Sequence, residues 1–319
     1  KATDASELKS KTINGLKYSF NEYGKMVSEW AMPKASDDAA SVSSYHYFNL
    51  PEQGWRAKGW FNVVPEEDVN KSAYDDDSTK WFYAENDGDI VKSKIKTINS
   101  KKYAFNNKGE MLSGVQALAM TSSSDIVGNK AIDDADLVDD LKDGSLTFDG
   151  YNGKPCTIGT DVYVYYFGAG SDGAMKIGNQ NVDIDGDSYA FSFGKTGSNK
   201  GRGLNEADDV LYVNGLRIKA DSDMRYQVYD LTTGKFLDNP KAAVGVDSAY
   251  VVNTSGSIMK NKKNLKDTDD YYYCTDSKGH VTGYDETKCG TKRDDGTVYT
   301  CNNRVCQVFC VSFKKIFWG

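Results

Sequence analysis

The stretch SKKYAFNNKGEMLSG, residues 100–114, decides the fold. Tyr103 and Phe105 stand two apart, so an extended strand turns both rings to one face. Asn106-Asn107-Lys108-Gly109 supplies turn chemistry, because Gly109 takes a positive φ at no steric cost. Met111 and Leu112 begin a returning strand, and Gly114 closes the unit. One such stretch is an ordinary hairpin. Its repetition is what carries weight.

The pattern is aromatic, any residue, aromatic or β-branched, a polar turn, Gly, any residue, then Met or another apolar residue. It reads KYSFNEYGKM around Gly24, KWFYAENDGDI around Gly88, YYFGAGSDGAM around Gly173 and YAFSFGKTGS around Gly197. RYQVYDLTTGKF around Gly234, AYVVNTSGSIM around Gly256 and YYYCTDSKGHV around Gly279 continue it, and YFNLPEQGW near Gly54 is a looser copy. The turn glycines at 88 and 109, 173 and 197, 234 and 256, and 256 and 279 are 21 to 24 residues apart. A chain of 319 residues accommodates two ordinary domains or one continuous array of such units.

Composition agrees. There are 30 Gly, 21 Tyr and 13 Phe but five Pro and two His, which suits many short strands joined by tight turns. A net charge of −7 argues against a nucleic-acid binder driven by backbone phosphates. No segment approaches the roughly twenty apolar residues of a membrane-spanning helix.

In chain order, residues 1–11 are polar and read as a frayed leader, and 15–30 as the first hairpin. Residues 31–44, with Pro33, read as a loop. Residues 45–64 are the most aromatic stretch, and 65–79, with Asp75, Asp76 and Asp77, read as a solvated acidic loop. Residues 81–114 hold two consecutive hairpins. The rhythm then breaks. Ser124 or Asp125 can cap a helix, and Leu137, Val138 and Leu141 fall at helical spacing before Gly144, which predicts a short helix within 131–142. Residues 161–167, DVYVYYF, alternate as a strand, whereas 191–204, with four glycines and three cations, read as a long turn. The expected fold is all-β, a solenoid-like array of β-hairpin repeats with a short helical or loop insertion. Its expected divisions are N-terminal repeats over 1–118, the insertion over 119–145, C-terminal repeats over 146–303 and an atypical apolar tail over 304–319. That tail, RVCQVFCVSFKKIFWG, is either a strand covering the last hairpin or a segment out of register with its gene. Tyr103, Phe105, Phe191 and Met111 are assigned to the core.

Paired aromatics, a polar turn with Gly and then Met, at a pitch near twenty, resemble the cell-wall-binding repeats of Gram-positive surface proteins. That group includes choline-binding modules, glucan-binding repeats and the repetitive domains of clostridial toxins. GWRAKGWFNV, residues 54–63, resembles the Gly-Trp opening of such repeats. The likeness runs over roughly residues 15–301, although 113–149 contain no copy. It implies a secreted protein at the cell wall or cell surface, bound to wall polymer or glycan, with choline among the candidate ligands. Flat rings stack on sugars or box a quaternary ammonium; in the family, choline is held by two Trp and a Tyr from adjacent hairpins. Trp55, Trp60, Trp81 and Tyr83 are the candidate ligand-binding residues. Most other copies carry Tyr or Phe at the corresponding places, which puts sugar stacking on at least an equal footing with choline.

Catalysis finds little support. A nucleophilic triad needs a base, and His46 and His280, the two histidines, read as surface turn residues. No Walker loop, dinucleotide fingerprint or HExxH is present. Asp183-Ile184-Asp185-Gly186-Asp187 opens like a calcium loop, but Ser188 and Gly194 stand where that loop needs Gly and Glu, so a solvated hairpin turn is expected. Six cysteines without a CxxC pair fit disulfides or free thiols rather than zinc, and they allow 15 pairings. The expectation is a non-catalytic binding region with no metal or cofactor. The alternatives are a host-glycan-binding adhesin or toxin-like receptor-binding array, a glycan hydrolase with paired carboxylates, and a structural spacer.

Overall fold

The computed structural model describes residues 7–36, 38–159, 161–292, 294, 297–302 and 305–310. The chain divides into two compact units, Lys1–Asp133 with Thr147–Lys176 and Asp134–Leu146 with Ile177–Gly319. Both are built from small antiparallel sheets, most of them single hairpins. The all-β hairpin architecture is as the sequence predicts.

In the first unit, Lys9–Ile13 pairs with Leu16–Phe20, Gly59–Val63 with Lys80–Ala84, and Lys94–Ile98 with Lys101–Phe105. These pairings move the tight turn. The hairpin holding Tyr103 and Phe105 closes at Asn99-Ser100, both at positive φ (48° and 67°), and not at Gly109. The Asn106–Gly109 turn returns only one bridged pair, Phe105 with Met111. Two left-handed residues make a turn whose twist matches that of the strands, and Asn-Gly is its strongest sequence signal. Asn14-Gly15 and Asp185-Gly186 close other hairpins in this way. The latter is the turn expected at residues 183–187.

Other expectations shift for local reasons. Residues 1–6 lie outside the described residues, but Lys9–Ile13 is a strand and not a frayed leader. The acidic segment 65–79 contains a short helix, Lys71–Asp75, because the Asn70 side chain caps it by accepting from the Ala73 N–H. The helix expected within 131–142 runs over Ala135–Asp143, and its cap is Asp134, not Ser124 or Asp125. Asp134 accepts from the Leu137 N–H at 2.8 Å, and Gly144 at φ 77° ends the helix. The first unit also holds a three-stranded sheet with Val115–Met120 at its centre, flanked by Ile126–Ala131 and Val162–Tyr166. Every residue of that central strand is buried, so its apolar run shows no alternation to read.

In the second unit, Gly178–Ile184 pairs with Asp187–Phe193, Tyr226–Asp230 with Ala249–Asn253, and Tyr272–Thr275 with Val281–Asp285. Phe191–Phe193 therefore belong to a strand, and within the expected long turn Gly197–Asn199 forms one turn of 3-10 helix. Val305–Cys310, from the apolar tail, pairs with Thr297–Asn302. Residues 311–319 lie outside the described residues, as do the side chains of Cys301, Cys306 and Cys310. Cys289 is disulfide-bonded and Cys156 is a free thiol.

The core is distributed. In the first unit Ile95, Leu118, Met120, Ile126, Tyr165 and Phe167 form one cluster, and Val42, Tyr45, Phe82 and Ile90 another. In the second, Val228, Val251, Tyr273 and Val281 pack together, as do Leu211, Tyr229, Val252 and Ile258. Phe105 and Phe191 are fully buried as expected, whereas Tyr103 and Met111 are half-buried.

Candidate functional site

The hairpin of Gly59–Val63 and Lys80–Ala84 carries aromatic rings on both faces. Its register sets Phe61 opposite Phe82 and Trp60 opposite Tyr83, and strand alternation sends the two pairs to opposite sides. Phe82 is fully buried, and with Phe61 it meets the Trp30 ring at 5.2 and 5.9 Å. Tyr47 stacks flat on Phe61, with centroids 4.9 Å apart and planes within 3°. The Trp30 Nε1–H donates to the Val64 carbonyl at 2.8 Å, which satisfies the indole inside this cluster. These rings form the hairpin's anchored side.

The other side is half-buried. Trp60 packs edge-on against Tyr83 at 5.2 Å, Trp81 at 6.3 Å and Tyr103 at 4.8 Å, and lies over Phe105 at 5.7 Å. Trp60, Tyr83, Tyr103 and Met111 rest on a small buried cluster of Val91, Ile98 and Phe105. Thus Trp60, Trp81 and Tyr83 come together, with Tyr103 supplied by the next hairpin. Trp55 stands elsewhere: its strand bridge is to Tyr18, and among the described residues it shares no ring contact with the other three. Lys96, from the strand facing Tyr103, lies with its Nζ 5.9 Å from the Tyr83 centroid and is ion-paired with Glu85. A cation of the chain itself therefore already faces the Tyr83 ring. Sequence reading missed both Lys96 and the Trp30 cluster. The KIKTI alternation before Asn99 was the signal for Lys96, and the Tyr45/Tyr47 spacing the signal for the cluster.

The two histidines depart from their expected places. His46 is partly buried, with Nε2 3.1 Å from Asp89 Oδ1. Burial, reinforced by the Arg56 charge, holds its imidazole below the usual value against the opposing pull of Asp89. His280 is no surface residue: it is 5% exposed, because the position after the Gly279 turn bridges to Tyr250 of the Ala249–Asn253 strand. Its Nδ1–H donates to Asp276 Oδ2 at 3.0 Å, and its Nε2 is buried without a hydrogen-bond partner. Among the described residues no three His, Cys, Asp or Glu side chains are grouped to hold a metal ion. No helix among them is long and apolar enough to cross a membrane.

Comparison with solved structures finds similarity to proteins of Streptococcus pneumoniae. Choline binding protein F is similar at 16% identity over 66% of this chain and 56% of that one, with a TM-score of 0.25. The modular autolysin LytC is similar at 14% identity over 95% and 48%, with a TM-score of 0.31. The choline-binding domain of CbpL is similar at 14% identity over 93% and 96%, with a TM-score of 0.28. The chain thus spans about half the length of the first two. No protein-family profile matches the chain, and no curated protein does.

Proposed function

We propose that this chain is a non-catalytic, cell-wall-binding repeat region of an exported surface protein, and that it holds wall glycan by stacking sugar rings on Trp60 and Trp81. The observation that supports this reading is the half-buried pile of Trp60, Trp81, Tyr83 and Tyr103, drawn from two successive hairpins. A ring pile in a core is covered; this one is fixed from beneath by Phe105 and keeps partial exposure. Of the two ligand chemistries, sugar stacking is favoured over an ammonium box, because Lys96 and its partner Glu85 occupy the cation position at Tyr83. A quaternary ammonium would have to displace an ion pair to reach that ring.

Sedimentation of the chain with isolated Gram-positive cell walls, with and without excess choline, tests the reading. Retention that survives choline and weakens about tenfold or more in Trp60→Ala is the expected result. Release by choline would replace the sugar with the ammonium. Absence of retention would sink the wall-binding reading.

A further inference from the structure

Four turn glycines of the first unit are sockets for a side chain from the repeat before. A Cβ on Gly54 would overlap the Met26 thioether, on Gly88 the Arg56 side chain, on Gly109 Ile90 and on Gly173 the Met111 thioether. These four side chains hold one position: each stands two residues after the preceding turn glycine, at 24, 54, 88 and 109. The second unit follows the same rule. Arg217, two after Gly215, lies against Gly256, and Ile258, two after Gly256, lies against Gly279. The same position also reaches backwards. The Arg56 N–H donates to the Lys17 carbonyl at 2.7 Å, and the Met111 and Ile258 N–H groups donate to those of Trp81 and Asp209 at 2.8 Å. Gly24, the first in the series, has the same left-handed backbone (φ 73°) but nothing within 4 Å of an added Cβ. A turn glycine and a socket are therefore separable requirements.

Met111 is where this series meets the aromatic face. Its N–H holds the backbone of Trp81, and its side chain packs with Trp60, Tyr83 and Tyr103 on the buried cluster of Val91, Ile98 and Phe105. Its thioether ends on Gly173, a buried glycine at φ 58°. We infer, on the reading of the Trp60 face as the binding surface, that Gly173 is a positioning residue for that face. By leaving room for the thioether it sets where Met111 lies beside Trp60. Through the Met111 N–H it also sets where the strand bearing Trp81 lies. Methionine is flexible, so a methyl group at 173 displaces Met111 rather than unfolding the unit. The rings that pack on Met111 then lose a neighbour at its native place, and close-packed side chains pass such a shift on. Gly173 touches no ligand in this account; it acts through Met111 alone.

Sedimentation of the full chain with isolated Gram-positive walls, beside urea melts and the tryptophan emission of the folded protein, tests it. Gly24→Ala and Gly173→Ala put a methyl on the same kind of backbone, the first in open space and the second against Met111. Both should melt earlier, because both force a side chain to positive φ. Only Gly173→Ala should weaken retention, by about tenfold, and shift the emission maximum. In a Trp60→Phe, Trp81→Phe background that shift should vanish. Met111→Ala, which leaves the backbone at 173 untouched, should shift the emission too, and it carries the test if Gly173→Ala does not fold. With Met111 already Ala, adding Gly173→Ala should weaken retention by no more than about twofold further, since the socket then has nothing to receive. Unshifted emission in Gly173→Ala or Met111→Ala would overturn the role of Gly173. A loss of retention matched by Gly24→Ala, or losses that simply multiply in the double variant, would overturn it as well. A wild type that walls do not retain would sink the binding reading instead, and the emission shift would still accept or reject the coupling of Gly173 to the rings.

Discussion

Asn106 organises its turn through one oxygen. Its Oδ1 accepts from the backbone N–H groups of Lys108 and Glu110, both at 2.9 Å, and its Nδ2–H donates to Glu110 Oε2 at 2.9 Å. Glu110, buried to 9% exposure, takes its other hydrogen bond from Asn70 Nδ2 at 2.5 Å. Asn21 and Asn253 hold the same position three residues before their turn glycines, with the same pair of accepted N–H groups. Short polar side chains favour such turns because they mimic a backbone carbonyl. Asn106→Ala should therefore lower stability by about 1–3 kcal/mol, since a buried carboxylate loses one of its donors along with the turn. Asn21→Ala, in an exposed turn, should cost less, and paired urea melts check the order. His46 gives the pH counterpart. Its folded-state value is depressed, mainly by burial, so the unfolded chain takes up the proton first as pH falls. The neutral ring thus contributes stability above the ordinary histidine value of about 6.5. That contribution is lost as pH falls from there through the depressed value. Melting midpoints between pH 7.5 and pH 5 (roughly the histidine range) should fall more steeply for the wild type than for His46→Gln. Parallel slopes would remove His46 from the account.

At the scale of elements, alternation made the strands legible where one face is exposed and hid them where neither is. Tyr103 and Phe105, or Trp81 and Tyr83, are two apart and fall on real strands. The run Val115–Met120 is buried on both faces and offers no period to find. Turns were harder to place. The sequence offers two polar turns per repeat, and the conspicuous Gly109 is the looser one; the turn that closes the hairpin is Asn99-Ser100, which lacks glycine altogether. The site was legible in the same proportion. Trp60, Trp81 and Tyr83 follow from strand alternation once the hairpin exists, but the distance of Trp55 from them and the approach of Lys96 depend on how hairpins pack. Short elements then lean on their caps. Ala135–Asp143 has nine residues, too few to be stable alone, and buries Val138 and Leu141. Its N-terminal N–H groups rely on Asp134, so Asp134→Ala should cost about 1 kcal/mol. Asp134→Asn should restore most of it, because either side chain can accept from the Leu137 N–H. Equal stability of all three proteins in thermal melts would show that packing alone holds the helix.

At the scale of the whole molecule, the distributed core and the repeated hairpins suggest that binding too is distributed. A polymer that meets several weak sites gains from each further contact as an intramolecular event, so retention can exceed the single-site affinity by about 10²–10⁴. The Trp60 face is a ring pile with its one nearby cation already paired, so stacking on it should respond little to salt. Raising ionic strength from about 0.01 M to 1 M shortens the screening length from about 30 Å to about 3 Å, and retention on isolated walls should change by less than about threefold, with Trp60→Ala the weaker binder at both ends of the range. Retention that collapses at high salt in wild type and Trp60→Ala alike would mean that charge, and not ring stacking, holds the polymer.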